Sequence, residues 1–97
     1  MYARVARWEG ADGDAMRRTA DEINADASSG PPEGVPAKAF LLLMDTDQGQ
    51  GLAITMFETM DDLRAGDEVL NSMNPPGEGL GRRASVETYE VAIDVKV

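Results

Sequence analysis

The apolar and polar positions of this chain sort into six segments, four with the pattern of strands and two with helical spacing. From Tyr2 to Trp8, the positions Tyr2, Arg4, Ala6 and Trp8 alternate with Ala3, Val5 and Arg7, which predicts a strand whose faces meet different surroundings. Asp12 or Asp14 then caps a helix of about thirteen residues, with Met16, Ala20, Ile23 and Ala27 on its apolar side and Arg17, Arg18, Asp21 and Glu22 facing water. Ser28 to Pro36, SSGPPEGVP, is a loop. A second strand runs from Lys38 to Asp45, and its core, Ala39 to Met44, is apolar without alternation, as in a strand buried on both faces.

Asp45 to Gly51 makes a polar hairpin turn into a third strand, Leu52 to Glu58, with Leu52, Ile54 and Met56 on one face and Ala53, Thr55 and Phe57 on the other. Thr59 to Asp62 has the spacing of a helix cap. Leu63, Val69, Leu70 and Met73 form the buried stripe of the helix that follows, and Gly66 inside it predicts close approach of another backbone. Pro75 and Pro76 end that helix, and Gly77, Gly79 and Gly81 form a flexible loop before a long last strand, Ala84 to Val97. In that strand Tyr89, Val91, Ile93, Val95 and Val97 share a face.

The order strand, helix, strand, strand, helix, strand predicts a ferredoxin-like α+β fold, βαββαβ, in one domain spanning residues 1–97. Its four-stranded antiparallel sheet carries both helices on one face. Since the second and third strands are apolar on both faces, the far side of the sheet needs a cover that these helices cannot supply. A second copy is the economical cover, with the long last strand reaching across an edge.

Composition narrows the function. Eighteen acidic and nine basic residues give a net charge of -9, which repels phosphate backbones and anionic bilayers, so neither nucleic acid nor membrane is an expected partner. The chain has no histidine and no cysteine, which removes the commonest general base, thiolate nucleophiles and the usual ligands of zinc and haem. The first residues, MYARVARWEG, lack an apolar run of signal-peptide length, and Ala39 to Met44 is too short to span a bilayer. A cytoplasmic protein without cofactor or metal is the expectation.

Candidate chemistry is sparse. Asp45-x-Asp47-x-Gly49 begins like a calcium loop, but Gln50 and Met56 stand where glycine and glutamate are needed. Gly77, Gly79 and Gly81 follow a helix, the reverse of a phosphate loop. Arg82-Arg83-Ala84-Ser85 has the form of a basophilic kinase site, though its serine enters a strand. A pocket for a small apolar or aromatic ligand would draw on Tyr2, Trp8, Met56, Phe57 and Tyr89, whose alternative place is the core or a dimer interface. Arg4 and Arg7 alternate with apolar residues, so one of them is expected to need Glu58, Glu87 or Glu90 as an ion-pair partner, or an anionic ligand. Asn71 and Asn74 end the second helix, where they cap it, face water or reach a pocket.

With ARVARWEG at the start, GLAITMFETMDDLRAGDEV in the middle and SVETYEVAI near the end, the chain resembles dimeric α/β-barrel proteins related to antibiotic biosynthesis monooxygenases, in particular an uncharacterised actinobacterial branch. The resemblance implies a homodimer whose two sheets form a barrel with the helices outside. In enzymatic members it implies a pocket between sheet and helices. It points to a cofactor-independent oxygenase acting on an aromatic or polyketide-like substrate, with a non-catalytic homodimeric ligand-binding or protein-interaction module as the alternative. The histidine ligand of haem-degrading relatives is absent, and the asparagine and tryptophan associated with cofactor-free oxygenation have no motif-matched counterparts. The pocket set read from the chain is therefore Tyr2, Arg4, Trp8, Met56, Phe57, Asn74 and Tyr89.

Overall fold

Six elements form in the expected order: β1 (Tyr2–Glu9), α1 (Gly13–Ala27), β2 (Ala39–Asp45), β3 (Gln50–Phe57), α2 (Met60–Ser72) and β4 (Arg82–Glu90). The computed structural model describes residues 1–27, 30, 34–72 and 80–96. Ser28, Ser29, Pro31, Pro32 and Glu33 of the proline-rich loop, residues 73–79 after α2, among them Met73, Asn74, Pro75, Pro76, Gly77 and Gly79, and Val97 lie outside the described residues.

Local chemistry starts both helices. The Asp12 carboxylate accepts the Ala15 amide at 3.1 Å, and the Thr59 hydroxyl accepts the Asp62 amide at 3.1 Å. Each satisfies an amide that the first helical turn leaves without an internal partner. Asp45 closes the β2–β3 turn in the same way, its Oδ1 accepting the amides of Asp47 and Gln48, so the carboxylate that began the calcium-like pattern serves the backbone.

The strands pair antiparallel in the order β2-β3-β1-β4. Register and pleat assign the faces. Tyr2, Arg4, Ala6 and Trp8 stand opposite Phe57, Thr55, Ala53 and Gly51. That face carries both helices: Arg4 reaches Asp67 of α2, and the Met16 side chain of α1 lies over Gly51. The fold is thus ferredoxin-like α+β, with helices on one face only. Phe57, fully buried, joins Val35 and Leu63 as the centre of the core, with Tyr2, Ala37, Met60, Val69 and Leu70 packed around them.

Three expectations change. The last strand ends at Glu90, opposite Tyr2 at the start of β1, and beyond that pair the Val91 amide donates to the Met1 carbonyl at 2.9 Å. Ile93 and Val95 beyond it are largely exposed. Strand β2 is not buried on both faces in the single chain, where Phe40, Leu41, Leu43 and Met44 are all exposed. Gly66 makes way for a ring and not for another backbone: a Cβ there would stand 2.5 Å from the Phe57 ring, which is enclosed on every side.

Gly66→Ala should therefore lower the stability by about 1–2 kcal/mol in chemical denaturation, an overpacking cost of roughly 1–3 kcal/mol partly offset by alanine's better helix propensity. A midpoint equal to or above that of the parent would show that the ring has room to move.

Candidate functional site

Helix α2 packs over β1 and β3, and α1 over β2, which leaves the helix-side surface of β4 without a helix above it. Between the flank of α2 and β4 lies an open groove of about 440 Å³, lined by Asp67, Asn71, Arg83, Ala84, Ser85, Val86 and Thr88. Its α2 wall comes from a four-residue repeat, because Asp67 and Asn71 sit one turn apart on the same side of the helix. Asn71 Nδ2 donates to Asp67 Oδ2 at 3.2 Å.

Arg4 anchors this wall from below. Only 5% exposed, it donates from Nε to Asp67 Oδ1 at 2.7 Å and from Nη2 to Asn71 Oδ1 at 3.0 Å. A buried guanidinium needs both a counter-charge and acceptors for its fixed fork, and the α2 pair supplies both. The carboxylate expected from Glu58, Glu87 or Glu90 is replaced by Asp67, because the pleat turns Arg4 toward the helices. Glu58 instead lies 3.7 Å from Lys38, and Glu87 accepts from Ser85 and Tyr89.

The β4 wall depends on a bulge. Ser85 pairs with Arg7, but Arg83 pairs with Trp8, so one extra residue on β4 shifts the alternation between them. Bulges of this kind re-aim side chains. Here the shift brings Arg83 to the helix side, where its Nη1 donates to Asn71 Oδ1 at 2.9 Å. Gly81, at φ 79 and tight against the Glu9 carbonyl, begins the approach, and Arg82 pairs with Glu9. Asn71 Oδ1 is thus held between two guanidiniums.

The sheet divides the residues read from the chain as a pocket. Tyr2 and Phe57 are part of the core, and Trp8 is half-buried on the helix side opposite Arg83. Met56 and Tyr89 flank Ala3 on the opposite face, so they cannot share a cavity with Arg4. Asn74 lies outside the described residues. Of the set, Arg4 bears on the groove indirectly, through its hydrogen bonds to the lining residues Asp67 and Asn71. Asp67, Arg83 and Thr88 were missed; the four-residue spacing of Asp67 and Asn71 was the available signal, whereas nothing in the chain marks the bulge.

Among the described residues no three acidic side chains gather at metal-binding distance, and no helix is long and apolar enough to cross a membrane.

No family model and no curated protein matches this chain. Among solved structures it is similar to a candidate antibiotic biosynthesis monooxygenase from Deinococcus radiodurans, with a TM-score of 0.55 and 10% identity, covering 100% of this chain and 98% of that one. At this identity the likeness is one of fold. It agrees with the ferredoxin-like architecture expected from the order of elements.

On the face away from the helices, the Tyr89 hydroxyl donates to Glu87, two residues along the same strand. That bond and the negative charge of Glu87 raise the phenol above its ordinary value of 10.0, with the Arg7 cation pulling weakly the other way. The raised value favours the protonated phenol in the folded chain. Its contribution to stability is present below about pH 10 and is lost as the pH rises through the higher folded value. In an alkaline absorbance titration Tyr89, isolated by Tyr2→Phe, should ionise above 10.0, and adding Glu87→Gln should bring it down. An unmoved midpoint in the Gln variant would remove Glu87 as the cause.

Proposed function

We propose that this protein is a homodimeric, single-domain small-molecule-binding protein whose ligand site is the groove between α2 and β4. The observation that carries this reading is the bonded set Arg4, Asp67, Asn71 and Arg83, which fixes polar side chains from three elements along one open cavity. Recognition needs polar groups held in place before a ligand arrives, and these are held. Of the residues expected from the chain, Arg4 serves as an indirect anchor, with Trp8 on the same side of the sheet.

The groove argues for binding ahead of oxygenation. Reaction of a carbanion with oxygen gains from a water-excluded apolar pocket, whereas this cavity is open and its walls are polar. The second reading is a cofactor-independent oxygenase acting on an aromatic or polyketide-like substrate, and the fold shared with the Deinococcus radiodurans protein favours it. One panel separates the two. Anthrone, quinol and polyphenol compounds should shift the amide resonances of Asp67, Asn71 and Thr88 without oxygen uptake at an electrode. Uptake would favour the oxygenase, and no shift at any of the three sites would sink the groove reading.

The second copy is supported by the opposite face. By register, Leu41, Ile54 and Val5 form one row across it, Leu43 and Leu52 begin the next, and Met56 and Ala3 belong to a third. Leu41 and Leu43 are 51% and 48% exposed in the single chain, and Ile93 and Val95 beyond β4 are more exposed still. Face-to-face packing with another such sheet removes this apolar surface from water, and the 91–96 segment, which pairs with no strand of its own chain, is available to the partner copy. Light scattering at micromolar concentration should give twice the 10.4 kDa chain mass. Leu41→Asp, an exposed substitution, should return it to monomer with the fold intact; a monomeric parent protein would refute the dimer.

A further inference from the structure

We infer that the groove selects small organic carboxylates, with Arg83 as the residue that binds the anionic group. This rests on the groove being the ligand site and adds the chemistry of what enters it.

The argument is one of charge matching within the bonded set. Asp67 is neutralised by Arg4, whose Nε lies 2.7 Å from Oδ1, and its other oxygen accepts from Asn71. Asn71 Oδ1 accepts from both guanidiniums, at 3.0 and 2.9 Å. Arg83 is thus positioned by a neutral amide oxygen. Among the described residues no carboxylate lies within ion-pair distance of it. One cation in the groove is thus oriented with no neutralising carboxylate among the described residues.

Its orientation matters as much as its charge. With Nη1 engaged by Asn71, the guanidinium is tethered at the groove, and among the described residues its other N–H donors make no hydrogen bond and remain for an incoming group. A planar carboxylate with two in-plane oxygens matches that fork, while a phosphate dianion would leave one negative charge unmatched. The rest of the lining, Ala84, Ser85, Val86 and Thr88, adds two apolar side chains and the Thr88 hydroxyl to a mostly polar surface, against which a small organic body can rest.

The acidic character of the chain sharpens the selectivity. A net charge of -9 repels anions at long range, so affinity has to arise at contact distance through charge-assisted hydrogen bonds. Only an anion able to use the Arg83 fork overcomes that repulsion.

Benzoate, its neutral analogue benzamide and inorganic phosphate serve as probes, titrated into the full chain at neutral pH and low ionic strength while amide spectra are recorded. Benzoate should shift Asn71 and Thr88 and bind about tenfold more tightly than benzamide, the difference between a charged and a neutral hydrogen bond. Arg83→Gln should abolish that preference, and Arg83→Lys, which keeps the charge without the fork, should retain only part of it. Arg83 is exposed, so both variants should keep the spectral dispersion of the parent. Equal binding of benzoate and benzamide would overturn the anion assignment while leaving the groove reading intact. Tighter binding of phosphate than benzoate would overturn the carboxylate. Absence of groove shifts with every probe would overturn both the assignment and the reading beneath it.

Discussion

The structure depends on a mismatch in coverage. An antiparallel sheet four strands wide spans roughly 19 Å at about 4.8 Å per strand, and a helix with its side chains is about 10 Å across. Two helices would suffice for one face if centred, but α1 sits over β2 and α2 over β1 and β3. The inner surface of β4 is left open, and the opposite face carries no helix at all. The first gap becomes a polar groove; the second remains an apolar sheet surface. Both features therefore follow from where the helices land, and their chemistry follows from which residues the pleat turns toward each gap.

Arg4 shows how closely packing and site are joined. A strand residue beneath a helix is normally apolar, and a guanidinium there is costly unless it is paired and its donors are satisfied. Asp67 and Asn71 meet that requirement from one side of α2, and the contact orients the helix against β1 as well as neutralising the charge. Asp67 remains a third exposed, so the pair is bridged to water rather than sealed from it. A hydrophobic residue at position 4 would pack the interior at less desolvation cost. Placing the ion pair at the groove's base instead gives α2 a polar edge on which Arg83 can rest.

Much of this architecture was legible in the chain. Alternation in Tyr2 to Trp8 and Leu52 to Phe57 assigned both faces of the central strands correctly, and Asp12 and Thr59 cap their helices as the spacing predicts. The extent of β4 was not legible, because Val91, Ile93 and Val95 continue the alternation past Tyr2↔Glu90, the last pair of the ladder with β1. The partner of Arg4 was hidden for a related reason. Several carboxylates were available, and only the tilt of α2 over β1 brings Asp67 and not a glutamate to 2.7 Å. Gly66 could be read as a close approach, yet whether a ring or a backbone fills the space depends on the Phe57 rotamer. Arg83 depended on a bulge between Ser85 and Arg83 that carries no glycine to announce it.

The outer face is not uniform, and its gradient bears on how it can be covered. Toward β2 and β3 it is apolar, whereas toward β4 it carries Arg7, Ser85, Glu87 and Tyr89. A covering sheet would desolvate these polar groups along with the apolar rows, and an unsatisfied carboxylate there would oppose association. Glu87 already accepts hydrogen bonds from Ser85 and Tyr89. The Tyr89 bond to Glu87 and the Glu87 charge keep the phenol protonated to higher pH, so it would enter such an interface uncharged. The Ser85 and Tyr89 hydroxyls and the Glu87 carboxylate are thus paired before any partner arrives, whereas the Arg7 side chain makes no hydrogen bond or ion pair among the described residues and would need an acceptor from the covering sheet. Because the pleat keeps Tyr89 and Met56 on the side away from Arg4, a cover over that face would leave the groove on the other face open.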